Sequence, residues 1–186
     1  MSDPAFKAMS LEEYLRTEEA SPYKREYVGG FVYPLHAQAG ASRAHVRISV
    51  NIIAALHADA LRAGCRLYQS DMKLAIEGTN SFFYPDVMLV CDQNSGKDYA
   101  ETAPCLLVEV LSGSTASNDR VGKYAMYTGL PSLQTYLIVE QTERRVYAYQ
   151  REGGKWELQE LAGQGSIHIS CLRQALTLDG IYAGVL

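Results

Sequence analysis

Two carboxylic acids sit where carboxylic acids are costly: Asp86 within FFYPDVMLV and Glu109 within CLLVEVLS. An ionised carboxylate among apolar residues needs an opposite charge close by, and two such acids sharing one divalent cation meet that need with hard oxygen ligands. A cation held in this way polarises a phosphate and acidifies a water, which is hydrolytic chemistry on phosphodiesters. The residues alone leave a second reading open, in which Asp86 caps a turn and Glu109 pairs with a buried Arg or Lys. Pro85 cannot donate a ladder hydrogen bond, so it marks a strand start or bulge from which the Asp86 side chain is aimed into a cleft.

Other reactive side chains carry weaker signals. His45 lies in a helical stretch with Arg43 and Arg47 and has the reach to contact a phosphate or a leaving group, although a lone helix histidine is more often a surface residue. Tyr124 and Tyr127 could line the entrance to a cleft, but aromatic residues at helical spacing more often pack in a core. Ser112 and Ser114 follow the acidic strand without a G-x-S-x-G elbow, so turn hydrogen bonding is preferred to a nucleophile. The glycine pairs at 29–30 and 153–154 read as hairpin turns, and no Walker-type lysine follows either. Cys65, Cys91, Cys105 and Cys171 form no C-x-x-C pair, so neither a zinc knuckle nor a dithiol motif is written locally. They are expected as small buried hydrophobes in a reducing cytoplasm.

The elements that must position these residues follow from periodicity. Ser10 and Glu13 have capping-box spacing, with Leu11, Tyr14 and Leu15 on one face of a short helix. Residues 25–35 read as a hairpin about Gly29-Gly30. Val46, Ile48, Ile52, Ile53, Leu56, Ala60 and Leu61 predict a helix over 42–63, stopped by Gly64. Extended segments are expected at 66–69, 73–77, 84–91 and 105–111. The last of these is apolar except for Glu109, the pattern of a central strand buried on both faces. A second helix is expected over 118–128, where Asp119, Lys123 and Tyr127 recur every four residues before Gly129-Leu130-Pro131. Strands at 134–140, 145–151 and 156–161 follow, the last two as a hairpin, with one more strand near Ile167. Strand-rich segments framed by two helices predict a mixed α/β sheet that is not doubly wound.

The 186 residues, 47% hydrophobic and 20% charged, suit one domain over 1–186 with its own core. A formal net charge of -4 argues against strong non-specific grip on nucleic acid, which needs a basic excess. It leaves local action on a phosphate open, because a bound cation supplies the positive charge. No run of about eighteen apolar residues could span a bilayer and no basic region precedes an apolar one at the start, so a cytoplasmic protein without membrane contact is expected.

The ordered segments YPDVMLVC at 84–91, PCLLVEVLSGST at 104–115 and NDRVGKYAMYTGLPSLQTYLIVE at 118–140, with SLEEYL and KREYVGGFVY before them, carry a family resemblance. Over about residues 10–150 the chain resembles the Uma-type restriction endonucleases of the PD-(D/E)XK nuclease superfamily. The resemblance implies an α+β, restriction-endonuclease-like fold of mixed sheet flanked by helices, with hairpin additions. It implies a DNA endonuclease that uses Mg2+ or Mn2+ and works as a homodimer.

On that resemblance Asp86 matches the acid of the PD motif and Glu109 the acid of (D/E)XK. Leu111 stands where the lysine is expected, and the lysine is displaced to Lys123 in the next helix, with Lys73 as a second candidate. Asp86, Glu109 and the backbone carbonyl of Val110 would hold the cation, Lys123 would orient the attacking water, and Glu26 of the K-R-E-Y segment would add a further acid. A solvated strand charge is an equally good reading of Glu26, and an Asp119–Lys123 pair on an exposed helix would be worth only about 0.3–0.5 kcal/mol. The missing lysine and the acidic balance support an alternative, a degenerate nuclease-fold domain that binds a partner without hydrolysis.

Overall fold

The structure is a computed structural model that describes residues 7–35, 42–111 and 122–186. Two six-stranded sheets carry it. In chain order, β1 is Lys7–Ala8, α1 Leu11–Glu18, β2 Arg25–Val28, β3 Phe31–Pro34, α2 Arg43–Arg62, β4 Arg66–Gln69, β5 Lys73–Ile76, β6 Ser81–Phe83, β7 Val87–Val90, β8 Ala100–Glu101 and β9 Leu106–Val110. There follow α3 Tyr124–Tyr127, β10 Thr135–Val139, β11 Arg145–Glu152, β12 Lys155–Ala162, β13 Ser166–Ile169, β14 Gln174–Thr177 and α4 Leu178–Ile181. The first sheet has the order β1-β3-β2-β6-β5-β8, the second β12-β11-β10-β9-β7-β4, and β13 and β14 pair by themselves.

Local chemistry accounts for the frame. Ser10 Oγ accepts the Glu13 N–H at 3.2 Å to start α1, and Ser42 Oγ accepts the His45 N–H at 3.0 Å to start α2. At the other end of α2, Gly64 takes a φ of +68° that a side chain would disfavour. The buried face of α2 is Ile48, Ile52, Leu56 and Ala60, each at most 1% exposed. It packs on β7 and β9, sharing one apolar cluster with Val87, Leu89, Leu106 and Val108. Met88 and Leu107 project from the opposite face of these strands into a second cluster with Tyr136 and Ile138 of β10 and with Leu74, Phe83 and Tyr127.

β9 is therefore buried on both faces, as its composition predicts. It runs parallel to β10 and antiparallel to β7, with Val87 opposite Val108, which makes the second sheet mixed.

Three expectations need correction. The strand expected at 84–91 is shorter: it begins only at Val87, because Tyr84, Pro85 and Asp86 form the passage from β6, which ends at Phe83 in the first sheet, to β7 in the second. Pro85, lacking an N–H, lies in the break between them. The sheet expected as one is two, because β2, β3, β5 and β6 pair among themselves. The cysteines are bridged, Cys65 to Cys91 and Cys105 to Cys171, so none of them is a free thiol. Their separations in sequence, 26 and 66 residues, gave no local sign of this. Of the helix expected over 118–128, α3 is the described α-helical part and 118–121 lies outside the described residues.

Candidate active site

The β7–β9 register brings the acids together. With Val87 opposite Val108, the residue before β7 lies level with Glu109, and Asp86 Oδ2 accepts the Val110 N–H at 2.7 Å. A residue in an extended strand turns its N–H and C=O to the same side, so the Val110 carbonyl also faces the Asp86 edge. The other oxygen, Asp86 Oδ1, lies 3.0 Å from His45 Nε2, and both side chains are about four-fifths buried. That hydrogen bond outweighs the burial of the ring and raises the His45 pKa above the usual histidine value.

Glu109, 5% exposed, sits where the sheet meets the segment leading into α3. Its Oε1 accepts from Lys123 Nζ at 3.1 Å and from the Tyr127 hydroxyl at 2.8 Å. Lys123 and Tyr127 are four residues apart, so both face β9. Lys123 Nζ also meets Glu26 Oε1 at 3.0 Å, so a β2 acid from the first sheet and a β9 acid from the second share one ammonium. Complete burial, followed by the Glu109 charge, pushes the Tyr127 hydroxyl well above the usual tyrosine range and keeps it a donor.

Two contact groups thus stand side by side at this end of the β7–β9 pair: Asp86 with His45 and the Val110 N–H, and Glu109 with Lys123, Glu26 and Tyr127. Glu26 is not a solvated strand charge: it is 7% exposed and ion-paired. Lys73 instead lies over the Tyr84 ring, 5.5 Å from its centroid. Leu111, 2% exposed, is packed in the apolar cluster with Tyr127. Asp119, Ser112 and Ser114 lie outside the described residues.

Two partners of the acids had faint signals in the sequence. His45 continues the buried stripe of Ser49, Ile52 and Leu56 at helical spacing, which marks it as facing the sheet. Tyr127 stands one helical step beyond Lys123, so a lysine aimed at Glu109 brings the tyrosine with it.

Among the described residues, Glu26 and Glu109 meet the Lys123 ammonium, and Asp86, at the position facing Glu109 across β7–β9, meets the His45 imidazole. Asp86 and Glu109, at facing positions, offer the hard oxygen donors that a divalent cation takes, and each Asp86 oxygen keeps a lone pair beyond the single hydrogen bond described for it.

The chain is similar to known proteins along most of its length. Residues 11–179 match the model of the Uma2 family, described as "Putative restriction endonuclease". The chain belongs to the Uma2 family. Two uncharacterized proteins of Synechocystis sp. are similar along most of their length. One is 36% identical over 183 residues, covering 97% of this chain and 94% of the relative. The other is 38% identical over 167 residues, covering 86% and 91%.

The fold of this chain is similar to that in the crystal structure of "a putative nuclease belonging to DUF820" from Anabaena variabilis ATCC 29413. It superposes with a TM-score of 0.74 at 12% identity, covering 96% of this chain and 99% of that one. The Uma2 chain therefore has a nuclease-like α+β fold, and its family supports a nuclease. No described helix is long and apolar enough to cross a membrane.

Proposed function

We propose that this protein is a Mg2+- or Mn2+-dependent endonuclease that hydrolyses phosphodiester bonds in DNA at the Asp86–Glu109 junction. The observation that carries the proposal is the position of Lys123, whose ammonium lies 3.1 Å from Glu109 Oε1 although it comes from a different element. A lysine there supplies the charge that the resembling motif places two residues after its acid, where this chain has Leu111.

Asp86, Glu109 and the Val110 carbonyl would hold the cation. When bound, it supplies Lewis acidity toward the scissile phosphate and toward an attacking water. The chain's own residues do the rest. Lys123 presents an ammonium beside the acids, where it orients the water and stabilises negative charge growing on the phosphate. Glu26 holds Lys123 from the far side, fixing a long side chain that would otherwise sample many rotamers. The Tyr127 hydroxyl fixes Glu109, and His45 with the Val110 N–H fixes Asp86. Cutting both strands of a duplex fits a homodimer that presents two such junctions.

Cleavage of supercoiled plasmid in Mn2+, with metal binding by calorimetry, tests the assignment. Asp86→Ala and Glu109→Ala are each expected to abolish metal binding and cleavage. Lys123→Ala is expected to keep the binding heat and to lose cleavage by about 100-fold or more, the usual scale for one electrostatic group in a hydrolytic site. Metal-dependent cutting that survives Asp86→Ala would overturn the site. No heat from the native protein at millimolar Mn2+ would favour a nuclease-fold module that binds without hydrolysis.

A further inference from the structure

The four cysteines come from four places in the chain and form two disulfides that lie against each other. Cys65 follows α2, Cys91 follows β7, Cys105 precedes β9, and Cys171 lies between β13 and β14. Because β7 starts just after Asp86 and ends just before Cys91, and β9 starts just after Cys105 and ends past Glu109, the sulfurs lie at the opposite end of the strand pair from the acids. Four to five residues of strand put the two groups on the order of 15 Å apart. The two disulfides touch: Cys91 Sγ is 3.6 Å from Cys105 Sγ. The sulfurs of Cys91, Cys105 and Cys171 lie within 4.8 Å of one another; Cys65 Sγ, bonded to Cys91, stands outside that group as its neighbour, and among the described residues no histidine or acid joins them.

Four thiolates around one zinc ion, each at about 2.3 Å, stand about 3.8 Å apart by tetrahedral geometry, close to the gap between the two bridges. We propose that, once both disulfides are reduced, Cys65, Cys91, Cys105 and Cys171 form a tetrathiolate site for a thiophilic divalent cation of the zinc type, separate from the acidic junction. The chemistry balances with a dithiol as reductant. Each disulfide takes two electrons and two protons from one dithiol, which leaves as its own disulfide. The four thiols then release four protons as four sulfur–metal bonds form.

Soft sulfur donors select zinc over magnesium, so the two ends of the strand pair sort cations by softness. Cys65 and Cys105 are the buried inner ligands, 8% and 7% exposed, while Cys91 and Cys171 are half-buried and give the reductant and the ion a way in. The ion would link the segments that the disulfides link now, tying the end of α2 to β7 and the start of β9 to the C-terminal hairpin. The same four residues thus cross-link the fold under oxidising and reducing conditions alike.

Cobalt(II) is the probe, because cobalt thiolates show a sulfur-to-metal charge-transfer band and intense tetrahedral visible bands that oxygen sites lack. The full chain carrying Asp86→Ala and Glu109→Ala is reduced with a phosphine, which does not compete as a thiol ligand, and titrated. One equivalent per chain with these bands, displaced by zinc, is expected; the oxidised protein should show none. Cys171→Ser, in a turn, and Cys91→Ser, checked for folding by circular dichroism, should each weaken the affinity at least about 100-fold, since outer-sphere changes alone cost 10- to 100-fold. Absence of the sulfur band in the reduced chain, or native affinity in both serine variants, would overturn the site.

Discussion

Asp86 depends on an imidazole in a way that pH should expose. The hydrogen bond to Asp86 raises the His45 pKa above its unfolded value of about 6.5. A raised folded-state pKa means that the folded protein binds the proton more tightly than the unfolded chain. The stability from this pair is therefore fully present below the unfolded pKa and is lost as pH rises through the folded one. His45→Gln keeps a neutral donor of similar reach and removes the charge. Urea denaturation of the metal-free protein should show the variant less stable by about 1.5–3 kcal/mol near pH 5, the range for a hydrogen bond to a charged group, and nearly equal to the native protein at high pH. A difference that is the same at both extremes would show that His45 contributes packing and no charge to Asp86.

α2 supports this pair: its first turn carries His45 and its next three turns clamp it to the sheet through Ile48, Ile52 and Leu56. Leu56→Ala, two turns or more from His45, should cost about 2–5 kcal/mol by leaving a cavity. Mn2+ affinity of the folded variant should stay within about threefold of native, a difference under the 1.4 kcal/mol that makes a factor of ten; calorimetry and thermal unfolding on the same sample measure both. Elements of this kind were legible in the sequence. α2 and the hairpins about Gly29-Gly30 and Gly153-Gly154 each have one clear period between strong stop signals. β1, β8 and the 3-10 turn at Glu77–Thr79 are two or three residues long and carry no period at all. The division into two sheets was hidden because strand partners are chosen by tertiary packing, and the only mark of it was Pro85. Among the candidate site residues, Asp86 and Glu109 stood out as acids in apolar strands, and Lys123 through its ordered motif. The disulfides stayed hidden because each partner lies in a different element.

At the scale of the whole molecule, the net charge of -4 constrains how DNA would be held. A protein that neutralises Z phosphates with its own cations loses affinity with salt at a log–log slope of about -0.9Z. In the candidate junction the described lysine is already engaged by Glu26 and Glu109, and of the other basic side chains Arg25 is tied to Glu18 and Arg66 to Glu101. If the cation at the acids supplies most of the attraction, few side-chain contacts to phosphate remain, and the slope should be shallower than about -3, corresponding to about three phosphates. Fluorescence anisotropy on a labelled duplex, with Lys123→Ala so that binding is read without cleavage, measures it across a salt series in Mn2+. Removing the metal with a chelator should then abolish most of the binding, because what holds the phosphate in this arrangement is the ion. A steep slope that persists in the chelator would instead locate a basic face whose contribution the overall charge conceals, and would move DNA recognition away from the Asp86–Glu109 junction.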